Sequence, residues 1–236
     1  MAPIEARWRL YSERLTEYHF CSIPIQRTVR GYESMFIEVR DSEVLNVYQM
    51  LVGLVTPRPI AWVTSRSADG LVNLAPFSFF NVFGANPPIV VFSPTLKRDG
   101  TKKDTLLNIE ATKEFVIHAS TEAHAKLINA SSAPYPPEIS EVEQLQLTTV
   151  PSRLIATPRL ADAPWALECK LLEIRSFGDG PIAANLVIGE VVAMHIEESI
   201  LGSDGIPDPR LLKSIARLGA EHWCRTQDLF ELTRPK

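Results

Sequence analysis

The sequence predicts a mainly β protein, an antiparallel barrel with peripheral helices. Three observations carry that expectation. Between residues 59 and 196 about six stretches have strand length and either alternate or run apolar. Turn residues stand between neighbours: Asp69-Gly70, Pro87-Pro88 and Gly178-Asp179-Gly180-Pro181. Helical segments do not alternate regularly with the strands, as a parallel α/β sheet would require.

Residues 1–34 read differently from the rest, mixing Arg, Glu and aromatics without strand alternation. They form an expected extension, partly helical around residues 5–18, ahead of a main domain over residues 35–236. Pro59–Ser65 is the first clear strand, with Ile60, Trp62 and Thr64 on one side and Ala61, Val63 and Ser65 on the other. Asp69-Gly70 supplies a hairpin turn, because glycine tolerates positive φ cheaply. Val72–Phe83 reads as one long second strand, and Ile89–Ser93 as a third, nearly all-apolar one. Lys103–Ala111 is helical, with Thr101 and Asp104 spaced as a capping box and Asp104 or Thr105 as alternative starts. Glu114–Ala119 is a fourth strand and Glu122–Ala130 a short helix. The proline-rich stretch 131–165 wraps the surface, with a helical piece at Ser140–Leu147. Trp165–Arg175 and Ala184–Ile196 are two long strands, and residues 208–230 read as mainly helical or irregular.

Composition excludes several classes. Hydrophobic residues at 45% and charged ones at 22% are ordinary for a globular protein, so a core can be buried. A formal net charge of -4 gives no nucleic-acid footprint and no basic membrane-binding face. Cys21, Cys169 and Cys224 are too few and too far apart for a disulfide framework or a zinc site. No apolar run approaches the roughly 20 residues of a membrane helix. Arg7, Arg9 and Arg14 alternate with Glu5, Glu13 and Glu17, unlike a transit peptide, and no apolar signal core is present. A cytoplasmic location is the expectation.

Two motifs are decoys. Gly178–Ala183 matches G-x-G-x-x-A, but a β-type run follows it where a dinucleotide site needs a helix, so it reads as a hairpin loop. The five histidines form no metal-ligand pair, and His118 and His195 sit in strands as hydrogen-bonded histidines. No metal site is expected, and no nucleophile elbow accompanies them.

The segment 58–83 is the informative one. Two adjacent strands carry Thr64, Ser65, Asn73, Ser78 and Asn81 interleaved with Trp62, Phe77, Phe79 and Phe80. Strand propensity and core packing are one account of that mixture. A flat apolar ring with a polar rim and a phosphate tail is the other. Pro76 removes a ladder donor and marks an edge or bulge where backbone groups are free. Downstream, Lys102-Lys103-Asp104-Thr105 opens a helix whose unpaired N–H groups and dipole suit a phosphate. On helix grounds alone, an ordinary N-cap beside solvated lysines is the simpler account.

Arg58–Ser65 (RPIAWVTS), Asp69-Gly70, Asn73–Phe80 (NLAPFSFF), Pro87-Pro88, Lys103-Asp104-Thr105, Asn108-Ile109 and Glu114-Phe115-Val116 occur in that order. Glu168-Cys169, Gly189–Val192 (GEVV) and Arg217-Leu218-Gly219 follow. This series resembles the flavin reductase-like, FMN-binding split-barrel family over roughly residues 36–232. The resemblance implies a split β-barrel of antiparallel, Greek-key type, a homodimer, and FMN near the subunit interface. It implies flavin-lining roles for Arg58, Trp62, Thr64, Ser65, Asn73, Ala75, Pro76, Phe77 and Asn81. Ser78, Lys103 and Thr105 become the expected phosphate partners. Ala220, Glu221-His222-Trp223 and His118 depart from the family's usual residues.

The implied reaction is hydride transfer from NADH or NADPH to the flavin. The reduced flavin then leaves, or passes electrons to a monooxygenase or another small-molecule acceptor. No catalytic side chain is nominated, since this chemistry needs positioning and not an acid/base pair. Two alternatives stay open: a non-catalytic FMN carrier, and a flavoprotein that holds its FMN tightly and reduces a dedicated acceptor.

Overall fold

The computed structural model of the chain describes residues 26–27 and 35–235. The helix expected over residues 5–18 lies outside them. The chain divides into two compact units, Met1–Tyr48 and Gln49–Lys236. In the first, strands β1 (Gln26–Arg27) and β2 (Met35–Phe36) pair antiparallel, and a 3-10 turn covers Val39–Asp41. Helix α1, Val44–Leu54, spans the boundary.

The second unit is built on one seven-stranded sheet. Its members are β3 (Ala61–Arg66), β4 (Val72–Phe77), β5 (Phe80–Ala85), β6 (Pro88–Phe92), β7 (Glu114–His118), β10 (Trp165–Phe177) and β11 (Ala184–Ile196). The order is β4-β3-β7-β10-β11-β6-β5, and every pairing is antiparallel. Two-residue strands β8 (Thr149–Val150) and β9 (Arg159–Leu160) pair separately. The helices of this unit are α2 (Asp104–Thr112), α3 (Ala125–Ala130), α4 (Glu141–Gln144) and α5 (Pro209–Leu212).

The sheet curls round one interior. Phe77 of β4 and Phe92 of β6 belong to strands near opposite ends of the sheet, yet their rings lie 5.2 Å apart. Phe115 of β7 stands 5.3 Å from Phe92. Ala61, Val63, Phe77, Val90, Phe92, Ile117, Cys169 and Val187 fill the space between, and Leu106 and Ile109 of α2 stopper it. Alternation along β3 holds as the sequence implies: Ala61 and Val63 face this interior, whereas Ile60 and Trp62 face a second cluster outside, with Leu74, Ile128 and Leu160. Close packing makes Gly189 obligatory. A Cβ there would stand 2.5 Å from Phe115 Cζ, on a ring that the packed interior fixes. Gly189→Ala is expected to lower stability by about 1–3 kcal/mol, read as a lowered urea midpoint with an unchanged m-value.

Residues 151–160 are strapped to the outer face by side chains of the sheet. Glu114 Oε1 accepts the Thr157 N–H at 2.7 Å, and Glu168 accepts the N–H groups of Arg153 and Leu154 at 2.7 Å each. The Leu160 N–H donates to His118 Nε2 at 3.0 Å, and Thr64 Oγ1 donates to the Pro158 carbonyl at 2.8 Å. The segment has little secondary structure of its own, so these bonds satisfy its backbone.

Several expectations need correction. The run 72–83 is not one strand: it breaks at Ser78-Phe79, and β4 and β5 lie at the two ends of the sheet order. Helix α2 is capped at Lys103 without a side-chain cap, because the Thr101 hydroxyl is bonded to Asp99 at 2.6 Å. The helix expected over Ser140–Leu147 is only α4, with Ser140 as its N-cap. The tail, expected to be mainly helical or irregular, is largely irregular outside α5, but it also forms a hairpin of β12 (Ile215–Arg217) and β13 (Trp223–Arg225) that the sequence did not announce. Arg58 and Arg217 tie it to the start of the barrel through reciprocal backbone bonds of 2.9 Å. Gly178–Ala183 is the β10–β11 hairpin loop, as expected, with Gly178 at φ 78°.

Candidate functional site

The expected ligand residues fall into three groups. The first surrounds the start of α2. Asn73, Ala75 and Phe77 alternate along β4 toward α2 and the interior. Asn73 Nδ2 donates to Thr105 Oγ1 at 2.8 Å, and Asn108 Nδ2 donates to Ser65 Oγ at 3.1 Å, which locks α2 onto both strands. Ser65 and Thr105 are buried, so they brace the helix start. Lys103 Nζ lies 5.5 Å from the centre of the Phe77 ring. Burial, and then Lys97, lower the Lys103 pKa. Lys97 itself has a carboxylate, Asp104, at 3.7 Å. Among the described residues Lys103 has none within ion-pairing distance. A half-buried cation without a counter-charge sits where α2 presents its first N–H groups.

The second group gathers round Arg58, which is buried. Its guanidinium donates to the carbonyls of Val52, Val55 and Leu218, and Nε reaches Ser78 Oγ at 3.4 Å. It therefore caps the end of α1 and clamps the chain before Gly219. Gly219 is needed there: a Cβ would meet Gly53 Cα at 2.9 Å. Ser78 follows Phe77, so its hydroxyl is turned to Arg58 while its backbone continues from the lysine-bearing side. Beside this clamp lies a cavity of about 460 Å³ lined by Gln49, Gly53, Thr56, Leu218 and His222.

The third group is committed elsewhere. Trp62 and Thr64 point to the outer face and are essentially fully buried, the indole N–H donating to Ser131 Oγ at 2.9 Å and the Thr64 hydroxyl to Pro158. Neither side chain is open to a ligand. Pro76 lies on the edge strand, where its missing N–H costs nothing. Upstream on the same edge, Leu74 N–H donates to Glu141 Oε2 at 2.9 Å, and Ser140 Oγ donates to the Val72 carbonyl at 2.6 Å. Asn81 is exposed and bonds the Val82 N–H at 2.8 Å.

Sequence reasoning missed one constellation. Glu168 is wholly buried and accepts from His195 Nε2 at 2.6 Å as well as from the two strap N–H groups. Burial raises its pKa, but the Arg153 N–H, the His195 ring and the Leu154 N–H together lower it further, leaving it below the ordinary value. These residues are 27 positions apart, and only the β10–β11 register, Glu168 opposite Ala193, brings them together.

The comparisons with known proteins agree with this architecture. Residues 53–211 match the family model described as "Flavin reductase like domain". An uncharacterized protein of Halalkalibacterium halodurans is 42% identical over 80% of this chain and 90% of its own length. Nitrilotriacetate monooxygenase component B from Bacillus cereus superposes with a TM-score of 0.80 at 35% identity, covering 86% of this chain and 100% of that one. The 2-nitrobenzoate 2-nitroreductase NbaA of Pseudomonas fluorescens gives a TM-score of 0.76 at 35% identity, over 85% and 96% of the two chains. A Shewanella frigidimarina protein described with a split barrel domain shares the fold, with a TM-score of 0.72 at 21% identity. The sheet that curls round Phe77, Phe92 and Phe115 is thus a split barrel, and the chain belongs to the flavin reductase-like family.

Proposed function

We propose that the chain binds FMN and is an oxidoreductase that takes reducing equivalents from NADH or NADPH. The observation that carries the FMN reading is Lys103, a partly desolvated ammonium with no counter-charge among the described residues, at the start of a nine-residue helix. A phosphate monoester is a dianion with acceptor oxygens, and it matches that lysine together with the first N–H groups of α2. Asn73 and Thr105 hold the helix start rigid, so the donors are positioned before the ligand arrives. Phe77 gives the lysine an apolar floor, and the backbone turn at Ser78-Phe79 opens beside it. The flavin supplies two-electron acceptance from a nicotinamide; the chain's residues bind it, orient it and keep its surroundings apolar.

Three further features support the wider reading. Edge strand β5 exposes Val82 at 62% and Phe83 at 68%, an apolar strip suited to a second copy of the chain and hence to a homodimer. Cys169 and Cys224 are free thiols, in keeping with a cytoplasmic location. Likeness to a monooxygenase component supports delivery of reduced flavin to an oxygenase partner. A second reading is favoured by the equal identity to a nitroreductase: the flavin stays bound and a dedicated small acceptor is reduced.

Absorbance of purified protein mixed with FMN, followed by stopped-flow addition of NADH or NADPH, tests this directly. Bleaching by either donor is the expected result; a flavin that neither donor reduces contradicts it. Flavin that stays with the protein on gel filtration after reduction selects the second reading. Lys103→Ala is expected to weaken FMN binding roughly ten- to hundredfold at low salt, with an unchanged melting temperature. Equal affinity in the variant, measured by fluorescence quenching, would move the phosphate elsewhere.

A further inference from the structure

A second cavity, of about 540 Å³, lies on the outer face where the strap 151–160 meets the end of β11. It shares no lining residue with the Lys103 site or with the Arg58 clamp. Its size falls within the usual range for small-molecule sites. One part of its wall is cationic, formed by Arg153 and Arg159 with His195 beside them. The other part is apolar, formed by Leu154, Met194 and Ile196.

The charges in this wall do not balance. Among the described residues neither Arg153 nor Arg159 has a carboxylate within ion-pairing distance, and Arg159 Nε is buried without any hydrogen-bond partner. A guanidinium carries five donors and cannot shed its charge; Arg153 is exposed and solvated, but leaving the buried Nε of half-buried Arg159 unpaired is costly. Glu168 does not relieve it, because its oxygens already accept from two backbone N–H groups and His195. Glu197 is one further carboxylate in the lining, without an ion-pair contact to either arginine. When His195 donates through Nε2 to Glu168, its ring plane is fixed. The strap bonds likewise fix the backbone on which both arginines sit. The backbone beneath the donors is held in place, and among the described residues no acceptor faces the Arg159 Nε.

We propose that this cavity is a binding site for a small organic carboxylate with an apolar body. The carboxylate takes the place of the missing counter-charge at Arg159 and Arg153, a planar acceptor matched to a planar fork. The hydrocarbon part lies along Leu154, Met194 and Ile196. Met194 is well suited to that contact, being 59% exposed and conformationally adaptable.

Benzoate is the probe. Titration of the full-length protein with benzoate, with and without added FMN, followed by calorimetry or by shifts of the methionine methyl signals, is expected to show saturable binding in both cases. Arg159→Gln should weaken it about tenfold or more. Met194→Trp, which fills the cavity from an exposed position, should abolish it, with FMN uptake unchanged in both variants. Should Arg159→Gln fail to fold, Arg153→Gln and Met194→Trp carry the test. Absence of saturable benzoate binding overturns the proposal, as does binding that neither substitution affects. Inorganic phosphate competing as well as benzoate would overturn the apolar half of it. None of these results depends on the FMN site, whose failure would show as loss of flavin uptake with benzoate binding retained.

Discussion

Glu168→Leu is expected to destabilise the fold by about 3–5 kcal/mol, the largest effect of any single substitution proposed for this chain. The carboxylate is fully buried and takes three donors at 2.6–2.7 Å. Leucine fills the volume but leaves the Arg153 and Leu154 N–H groups and the His195 ring without their acceptor. Glu168→Gln should cost less, because an amide keeps one accepting oxygen. Urea unfolding at pH 7 measures both, and a Leu variant within 1 kcal/mol (about one experimental error on such comparisons) of the parent would contradict the strap's role. The pH sign follows from the lowered pKa. Stability from Glu168 is present above the unfolded value near 4.5 and is lost as pH falls through the lower folded value.

Acid sensitivity should appear well before that, through His118. The ring is fully buried, with Nδ1 2.9 Å from the Trp62 carbonyl and Nε2 accepting the Leu160 N–H. Accepting at Nε2 fixes the neutral Nδ1–H tautomer, which donates to Trp62. Burial is the main cause that lowers its pKa from 6.5 to about 4. Its folded value is depressed, so its contribution is complete above about pH 6.5 and is lost progressively down to pH 4, in total about 3 kcal/mol. By pH 5 about 2 kcal/mol of it has gone. Glu141 works the other way: burial raises its pKa, so protonation favours the folded form as pH falls toward 4.5. Unfolding midpoints at pH 7 and pH 5 for the parent and for His118→Asn separate the two. The parent should lose stability across that interval and the variant should not. A parent-minus-variant difference that is the same at pH 7 and pH 5 would contradict the depressed His118 pKa.

Much of the barrel was legible because its strands announce themselves. In β3, β6, β7, β10 and β11 the alternation or apolar run coincides with the observed strand, and glycine or proline stands at both ends of β6 and β10. The break at Ser78-Phe79 was hidden because Phe77, Phe79 and Phe80 carry an apolar pattern straight through it. Strands β12 and β13, with three residues each, are too short for periodicity to show; Arg58 and Arg217 determine their position. Lys103 was identifiable beside a helix start, but that no carboxylate among the described residues pairs with it is a fact of packing. Trp62 and Thr64 looked like ligand residues because a strand's two faces read alike in a line of letters. The Glu168–His195 pair, and the arginines near it, depend on register between distant strands and could not be read from spacing.

The strap has an evolutionary corollary. Its course is dictated from beneath, by Glu114, Glu168, His118 and Thr64, which grip main-chain atoms and are indifferent to the side chains above them. Positions 153–156 can therefore change identity without altering the path of the loop. A scaffold arranged in this way can exchange one ligand preference for another through surface substitutions alone, while the residues that hold it upright stay untouched.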